Sequence, residues 1–189
     1  MIASSNIGLT DKIKEEVKKV KVQFIPVYSD EQIQDLAFMA DTVWHEWFSS
    51  ILSLEQIDYM IKKFQSFSAM KKQLENEGYE YYFLNVNGMN IGYIGIHIEM
   101  DTKKLFLSKI YILKAFRGNR YASEAFEFLE GLCSGLKLSS IYLKVNKYNE
   151  NSINVYNKRG FVKIKDQVTD IGNGFVMDDY VMKKIIIEK

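Results

Sequence analysis

Apolar residues recur along the chain with two different periods, which divide it into helices and strands. After Ser29 and after Ser53 they recur every three to four residues, and each serine is followed three positions later by glutamine. This spacing is the capping box that opens a helix. The second helix is predicted to extend to Glu77, with Gly78 ending it. A charged stretch over 10–21 predicts a short helix that contributes little to a core.

Other segments alternate apolar and polar residues, or are apolar throughout, as strands are. Pro26 requires the first of them to lie at an edge or a bulge, and Asn87-Gly88 is a strong turn signal between two others. Strands are predicted over 22–28, 80–86, 91–100, 105–113, 140–147, 161–169 and 175–187. Two later helices are predicted over 122–136 and 149–159.

The order β-α-α-β-β-β-α-β-α-β-β predicts an α+β sandwich: a mixed, mostly antiparallel sheet of about seven strands with helices on both faces. We expect residues 22–189 to form this one domain. Residues 1–21 are expected to form a flexible or helical N-terminal extension.

Composition narrows the classes of function. The 189 residues include 25 basic and 24 acidic side chains, so no overall field attracts nucleic acid or an anionic membrane. No apolar run reaches the ~20 residues of a membrane span, and Met1–Lys21 lacks the apolar stretch of a signal peptide. Cys133 is the only cysteine, which excludes an intramolecular disulfide and zinc held by paired cysteines. We expect a cytoplasmic monomer or homodimer without metal, nucleic acid or membrane partner.

A basic loop joins the fourth predicted strand to the helix that follows. Residues 110–122 read Ile-Tyr-Ile-Leu-Lys-Ala-Phe-Arg-Gly-Asn-Arg-Tyr-Ala. A helix N-terminus offers unpaired N–H groups and a partial positive charge, which suit a pyrophosphate. Gly118 lets the backbone approach closely, and Arg117 and Arg120 add charge. The loop is neither a Walker loop nor GxGxxG, and an isolated Arg-Gly-x-Arg is more often a solvated turn.

A second stretch lies one strand later. Asn149, Ser152, Tyr156, Gly160 and Phe161 follow one another at intervals of three, four, four and one residues. Asn149 or Ser152 can cap the short helix, and Tyr156 would face the preceding strand. Taken alone, Tyr156 is more typical of an amphipathic core position than of a catalyst.

Together the two stretches resemble the signatures of the GNAT superfamily of acyl-CoA N-acyltransferases. Residues 117–122 match Arg/Gln-x-x-Gly-x-Gly/Ala, and residues 149–161 match Asn-x-x-Ala-x-x-x-Tyr-x-x-x-Gly-Phe. Arg120 departs from the usual glycine, and Ser152 replaces the usual alanine. An arginine at this point is costly if its φ is positive.

The resemblance implies that the fourth and fifth strands splay apart and hold the pantetheine arm of acetyl-CoA between them. The backbone around Ile110–Ile112 would pair with pantetheine amides and polarise the thioester carbonyl. Asn149 would bond the pantetheine arm, and Tyr156 would face the sulfur. The cofactor-binding residues implied are Ile110, Tyr111, Ile112, Arg117, Gly118, Asn119, Arg120, Tyr121, Ala122, Ser123, Asn149, Ser152 and Tyr156.

The mechanism implied is direct attack of a primary amine on the thioester, so Cys133 is predicted to be a packed thiol. A thiolate has a pKa near ~8.5 and a tyrosine one near ~10, so Tyr156 is better described as a hydrogen-bond donor than as a full proton donor. Strand 105–112 carries no carboxylate. Glu99, His97 and Asp101 are the candidate bases, with water relays left equally open.

The acceptor site is implied to lie between the first two helices and the closing hairpin. Trp44, His45 and Tyr59 are predicted to line it, and Asp178 and Asp179 are close by in the hairpin. Aromatic and acidic side chains suit a cationic amine. Trp47 continues the apolar stripe and is predicted to be core. The acceptor itself, a small-molecule amine or a protein amine, stays open.

Two other classes of function compete with the enzyme. A non-catalytic CoA-binding or regulatory domain on the same fold would keep the loop but would not need Tyr156. An RNA-binding module would use the basic loop and nearby tyrosines, but the near-neutral charge argues against it.

Overall fold

The computed structural model describes residues 21–186, so the helix and extension predicted before Lys21 lie outside the described residues. Seven strands and five α-helices follow one another within that range. In chain order they are β1 (Gln23–Pro26), α1 (Asp30–Phe48), α2 (Leu54–Phe64), α3 (Phe67–Asn76), β2 (Tyr79–Val86), β3 (Met89–Glu99), β4 (Lys104–Ile112), a 3-10 turn (Lys114–Phe116), α4 (Tyr121–Gly135), β5 (Ser140–Asn146), α5 (Glu150–Lys158), β6 (Val162–Gly172) and β7 (Phe175–Ile185).

The seven strands form one sheet in the order β1-β2-β3-β4-β5-β7-β6. Every neighbouring pair is antiparallel except β4 and β5, which run parallel. The predicted fold class is confirmed. Pro26 is the last residue of the edge strand β1, where a missing N–H costs no ladder hydrogen bond.

Alternate residues of the strands face two different helical layers. Leu84 and Ile94 pack in the core under α4, together with Phe126, while Phe83 and Tyr93 pack against α1 and α3. Burying one such side chain stabilises the fold by about 1.5–3 kcal/mol. The sheet therefore has helices on both faces, as the sequence predicts.

The helix predicted from Ser53 to Glu77 is in fact two helices. α2 ends at Phe64 with Gln65 as its C-cap, and the hydroxyl of Ser66 accepts a hydrogen bond from Ala69 N at 3.3 Å. A serine that caps a new first turn competes with helix continuation, which accounts for the break. None of the helices within 21–186 is both long and apolar enough to span a membrane.

Candidate active site

The parallel strands β4 and β5 separate halfway along their length. They pair only over Lys104–Leu107 and Ser140–Leu143, although β4 continues to Ile112 and β5 to Asn146. On its other side β4 shifts register against β3, so that Ser108 has no partner there. A bulge of this kind bends the strand. The two strands diverge just beyond it, and their facing backbone edges border an opening.

A cavity of about 920 Å³ occupies this opening, a size typical of ligand pockets. Its lining comes from both halves of the sheet, from the loop before α4, and from α1, α2, α3 and α5. The predicted site residues on its wall are Trp44, Ile110, Tyr111, Ile112, Arg117, Gly118, Arg120, Tyr121, Ala122, Ser123, Asn149, Ser152 and Tyr156.

The loop before α4 turns through two residues of positive φ. Gly118 has φ +84°, which suits glycine, whereas Arg120 has φ +67° and is the N-cap of α4. Within the described part of the chain, no side chain caps the first turn of α4. Its N–H groups and the positive end of the helix dipole therefore face the cavity wall, an arrangement that suits an anion.

Arg117 holds this loop against α1. Its Nε donates to the Ile112 carbonyl at 2.8 Å, and its guanidinium lies 4.3 Å from the ring of Trp47 and 3.4 Å from Glu46 Oε2. Glu46 also accepts from the Lys114 N–H at 3.0 Å. Trp47, predicted to be core, packs half-buried against the core cluster that contains Trp44 and Phe48. It also lines the cavity, and Arg117 stacks on its ring.

α5 presents Asn149 and Tyr156 to the cavity. Asn149 is buried, and its Oδ1 accepts from Ser152 N at 3.2 Å, which leaves its amide N–H₂ group available to a ligand. The Tyr156 ring lies edge-on to Phe126, with 6.1 Å between centroids. Burial raises the pKa of Tyr156 to about 12, and the Ser152 side chain opposes this rise. The hydroxyl is therefore protonated at neutral pH and can donate a hydrogen bond.

A buried carboxylate faces the same space from β7. Asp179 is 2% exposed and lies opposite Asn146 of β5. Burial raises its pKa to about 6, against the opposing effect of the Lys144 cation. Burial also raises the pKa of Tyr111, and the charges of Tyr156 and Asp179 raise it further. Asp179 is thus ionised at pH 7 and is basic enough to accept a proton.

The cavity wall also contains a lysine that the sequence analysis did not select. Lys109 on β4 is 6% exposed, and burial lowers its pKa to about 7. Its Nζ donates to Gln73 Oε1 at 3.1 Å and to Ser108 Oγ at 3.3 Å. The signal available in the sequence is a lysine in the interior of a strand whose other interior residues, apart from Ser108, are apolar or aromatic.

The structure does not bring Glu99 and His97 to this cavity. Glu99 lies opposite Lys104, at the closed end of the β4–β5 opening, and accepts hydrogen bonds from Tyr142 and, at 2.7 Å, from Thr102. Both bonds lower the pKa of Glu99, and the bond from Tyr142 has the larger effect. Burial acts in the opposite direction. The ring of His97 lies 5.4 Å from that of Tyr79.

Three other predicted residues also lie off the cavity wall. His45 bonds the Asp41 carbonyl at 2.9 Å and Asp58 at 3.1 Å, and it links α1 to α2. Tyr59 donates to the Ile171 carbonyl at 2.6 Å, which ties α2 to the end of β6. The Asn119 amide donates to the Phe116 carbonyl at 3.1 Å within its own loop.

The fold agrees with comparisons to known proteins. Residues 40–161 match the family described as the acetyltransferase (GNAT) family. An uncharacterized N-acetyltransferase from Lactobacillus delbrueckii subsp. lactis is 24% identical over 84% of this chain and 95% of its own length. The PaiA N-acetyltransferase from Thermoplasma acidophilum, solved with coenzyme A, is 20% identical, covers 87% of this chain and 99% of its own, and superposes with a TM-score of 0.70.

A variant of the spermidine N-acetyltransferase SpeG from Vibrio cholerae has the same fold, with a TM-score of 0.62 and 16% identity over 87% of this chain and 94% of its own. The family match covers more than half of the chain, so this protein belongs to the GNAT acetyltransferase family. Membership of this family supports acyltransferase activity.

Proposed function

We propose that this protein transfers an acetyl group from acetyl-CoA to a primary amine, by direct attack within a ternary complex. One observation carries the proposal: a single cavity joins the uncapped N-terminus of α4 to the Tyr156 hydroxyl and the buried Asp179 carboxylate. An anion site, an acid and a base in one cavity are the groups that acyl transfer from a CoA thioester requires.

The cofactor fits this cavity by the chemistry of its parts. Its pyrophosphate would lie on the N–H groups of residues 118–122, since the Ser123 N–H already donates to the Arg120 carbonyl at 2.8 Å. Its pantetheine amides would pair with the free edge of β4 as an added strand does. The free amide N–H₂ group of Asn149 would bond the same arm. A thioester carbonyl near Ile110–Ile112 would be polarised by a backbone N–H.

Tyr156 would stabilise the departing sulfur. With a pKa of about 12 it keeps its proton at neutral pH, so full transfer to a thiolate of pKa ~8.5 is uphill by roughly 5 kcal/mol. The hydroxyl therefore acts by a hydrogen bond that strengthens as charge develops on sulfur, and solvent completes the protonation afterwards.

Asp179 would take the proton from the amine. An alkylammonium with a pKa of ~10.4 has no lone pair and must first lose one proton to solvent, which costs about 4.6 kcal/mol at pH 7. The neutral amine then attacks the thioester carbonyl, and the nitrogen, much more acidic once it bonds to the carbonyl carbon, loses its second proton to Asp179 as the thiolate leaves. A carboxylate with a pKa of about 6 is ionised at pH 7 and attracts the ammonium before reaction. Asp179 replaces Glu99 and His97 as the base in this proposal because it lines the cavity and they do not.

The experiment is an amine panel with acetyl-CoA. Release of CoA thiol would be followed together with the mass of the acetylated amine, over polyamines, amino acids, amino sugars and a peptide N-terminus. The spermidine enzyme among the structural neighbours supports a small-molecule acceptor. If calorimetry shows CoA binding while no amine gains an acetyl group, the non-catalytic CoA-binding alternative is favoured instead.

Arg120→Gly separates backbone strain from cofactor contact. Glycine adopts φ +67° freely, so we expect the free energy of unfolding to rise by about 1 kcal/mol. Loss of a cationic side chain beside the phosphates should weaken CoA binding about tenfold by calorimetry. For the free energy of unfolding, Gly118→Ala is the matched control: no described protein atom lies within 4 Å of its added Cβ, so only backbone strain acts. Tighter CoA binding by Arg120→Gly would show that the arginine obstructs the site.

A further inference from the structure

Lys109 is a buried cation on the cavity wall that lacks an ionic partner. Within residues 21–186, no carboxylate oxygen lies within 4.0 Å of its Nζ. Glu77 acts on the ammonium from farther away, and its own carboxylate is paired with Lys72 at 2.8 Å. A buried charge without a partner is costly, so its presence in a ligand cavity calls for an explanation.

The ammonium is held in place by neutral groups. Gln73 Oε1 accepts from both Lys109 and the Tyr81 hydroxyl, while Gln73 Nε2 donates to the Phe64 carbonyl at 3.1 Å. These bonds fix the amide in one orientation. The rings of Tyr79 and Tyr81 lie 5.1 and 5.0 Å from Nζ, which favours its charged form. Gln73 and Ser108 use two of the three N–H donors, and the third is available to a ligand.

Away from the loop before α4, the charged side chains that line the cavity are Lys109, Lys144, Lys158 and Asp179. Lys144 and Lys158 are exposed, and the two buried charges, Lys109 and Asp179, suit two different groups. Asp179 is the only carboxylate among the described lining residues, and it lies on β7, across the opening from Lys109 on β4. The part of the cavity between α1, α2 and β4 is lined largely by apolar and aromatic side chains: Trp44, Phe48, Met60, Phe64 and Tyr111. A polyamine would satisfy Asp179 but would leave Lys109 facing a like charge.

We propose that the acceptor is an amine that also carries a carboxylate, of the amino-acid class, and that Lys109 binds this carboxylate. The inference rests on the proposed function and names its substrate class. The amine would lie beside Asp179 and the thioester, and an apolar side chain would occupy the aromatic part of the cavity. Pairing with a carboxylate would offset the cost of burying Lys109, whose pKa burial lowers to about 7 against the opposing effect of Glu77.

The test compares amines that differ only by the carboxylate: L-phenylalanine with 2-phenylethylamine, and L-leucine with 3-methylbutylamine. Wild-type protein should give a kcat/KM about 10- to 100-fold higher for the amino acid of each pair. Lys109→Met should reduce this ratio about tenfold or more and leave the decarboxylated amines nearly unaffected. Because wild-type protein and Lys109→Met are measured on the same two amines of each pair, differences in amine basicity cancel when their ratios are compared. Lys104→Met removes a lysine from the same strand outside the cavity and should preserve the ratio.

Several outcomes would overturn the proposal. One is a wild-type preference for the decarboxylated amines or for spermidine; another is an unchanged ratio in Lys109→Met. An equal loss on both members of a pair would make Lys109 a base rather than a carboxylate site. Binding of the products supplies a readout without turnover: with CoA present, calorimetry should show N-acetyl-L-phenylalanine binding at least tenfold tighter than N-acetyl-2-phenylethylamine, with proton uptake at pH 8 that Lys109→Met removes. If no amine reacts yet this difference in binding persists, the proposed function fails and the carboxylate site stands.

Discussion

Tyr156→Phe should lower kcat by roughly 10- to 1,000-fold, the range expected for one hydrogen bond to a developing charge. The ring packs against Phe126 and Phe161, and phenylalanine preserves those contacts. Affinity for CoA and the melting temperature should therefore change little. Steady-state kinetics, calorimetry and thermal melts on the same preparation measure the three quantities.

Tyr148→Phe is the control, because Tyr148 is an exposed tyrosine just before α5 and does not line the cavity. It should keep the wild-type kcat. Full activity in Tyr156→Phe at neutral pH would mean that the departing thiolate needs no hydrogen bond from Tyr156. A large drop in melting temperature would instead identify the hydroxyl as a structural group.

Asp179→Asn should lower kcat/KM at pH 7 by about 10²- to 10⁴-fold, since an amide cannot accept the amine proton. In the wild type, kcat/KM should fall below an apparent pKa of about 6, where the carboxylate becomes protonated. The variant should lack this acid limb. Rates measured from pH 5 to 9 test both statements. Protonation of the amine affects both proteins alike, so a ratio of wild-type to Asp179→Asn kcat/KM that does not fall below pH 6 would contradict them.

Asp179→Asn should lower activity but raise the free energy of unfolding at neutral pH. The pKa of Asp179 is raised from 3.8 to about 6 on folding, so the folded protein binds more protons within that window and loses stability as pH rises through it. Above pH 6 the ionised carboxylate costs about 1–3 kcal/mol, and Asp179→Asn should recover part of this cost. Urea unfolding at pH 4 and pH 7 measures the difference.

Asp178→Asn is the matched control for both measurements. Asp178 pairs with Lys147 and lies off the cavity wall, so its loss should leave the acid limb in place. Because the charge of Asp178 raises the pKa of Asp179, the limb should move slightly to lower pH.

The order and type of the elements could be predicted from the sequence because period and capping are local properties. The two signatures located the loop before α4 and the helix α5 for the same reason. The break between α2 and α3 also has a local signal, the cap at Ser66, but the apolar stripe continues through Phe64 and Phe67 and hides it.

The positions of the proposed base, Asp179, and of the buried Lys109 depend on three-dimensional geometry that the sequence pattern does not contain. Lys109 lies two residues after Leu107 and four after Leu105. Simple alternation along a strand therefore predicts that all three side chains face α4. The extra residue Ser108 reverses this alternation: Ile110 and Ile112 pack on the α4 side, whereas Tyr111 and Lys109 face the other helices. Asp179 reaches the cavity only because β7 pairs with β5 along the opening.

The brief contact between β4 and β5 divides the sheet into two hydrogen-bonded blocks joined over four residue pairs. A pantetheine arm bound along the gap would connect the two blocks and stabilise them against separation. By mass action, a ligand present at 100 times its Kd adds about 2.7 kcal/mol to the free energy of unfolding. The abundance of this protein would then follow the supply of its acyl donor, because the ligand-free protein unfolds more often and proteases degrade the unfolded form.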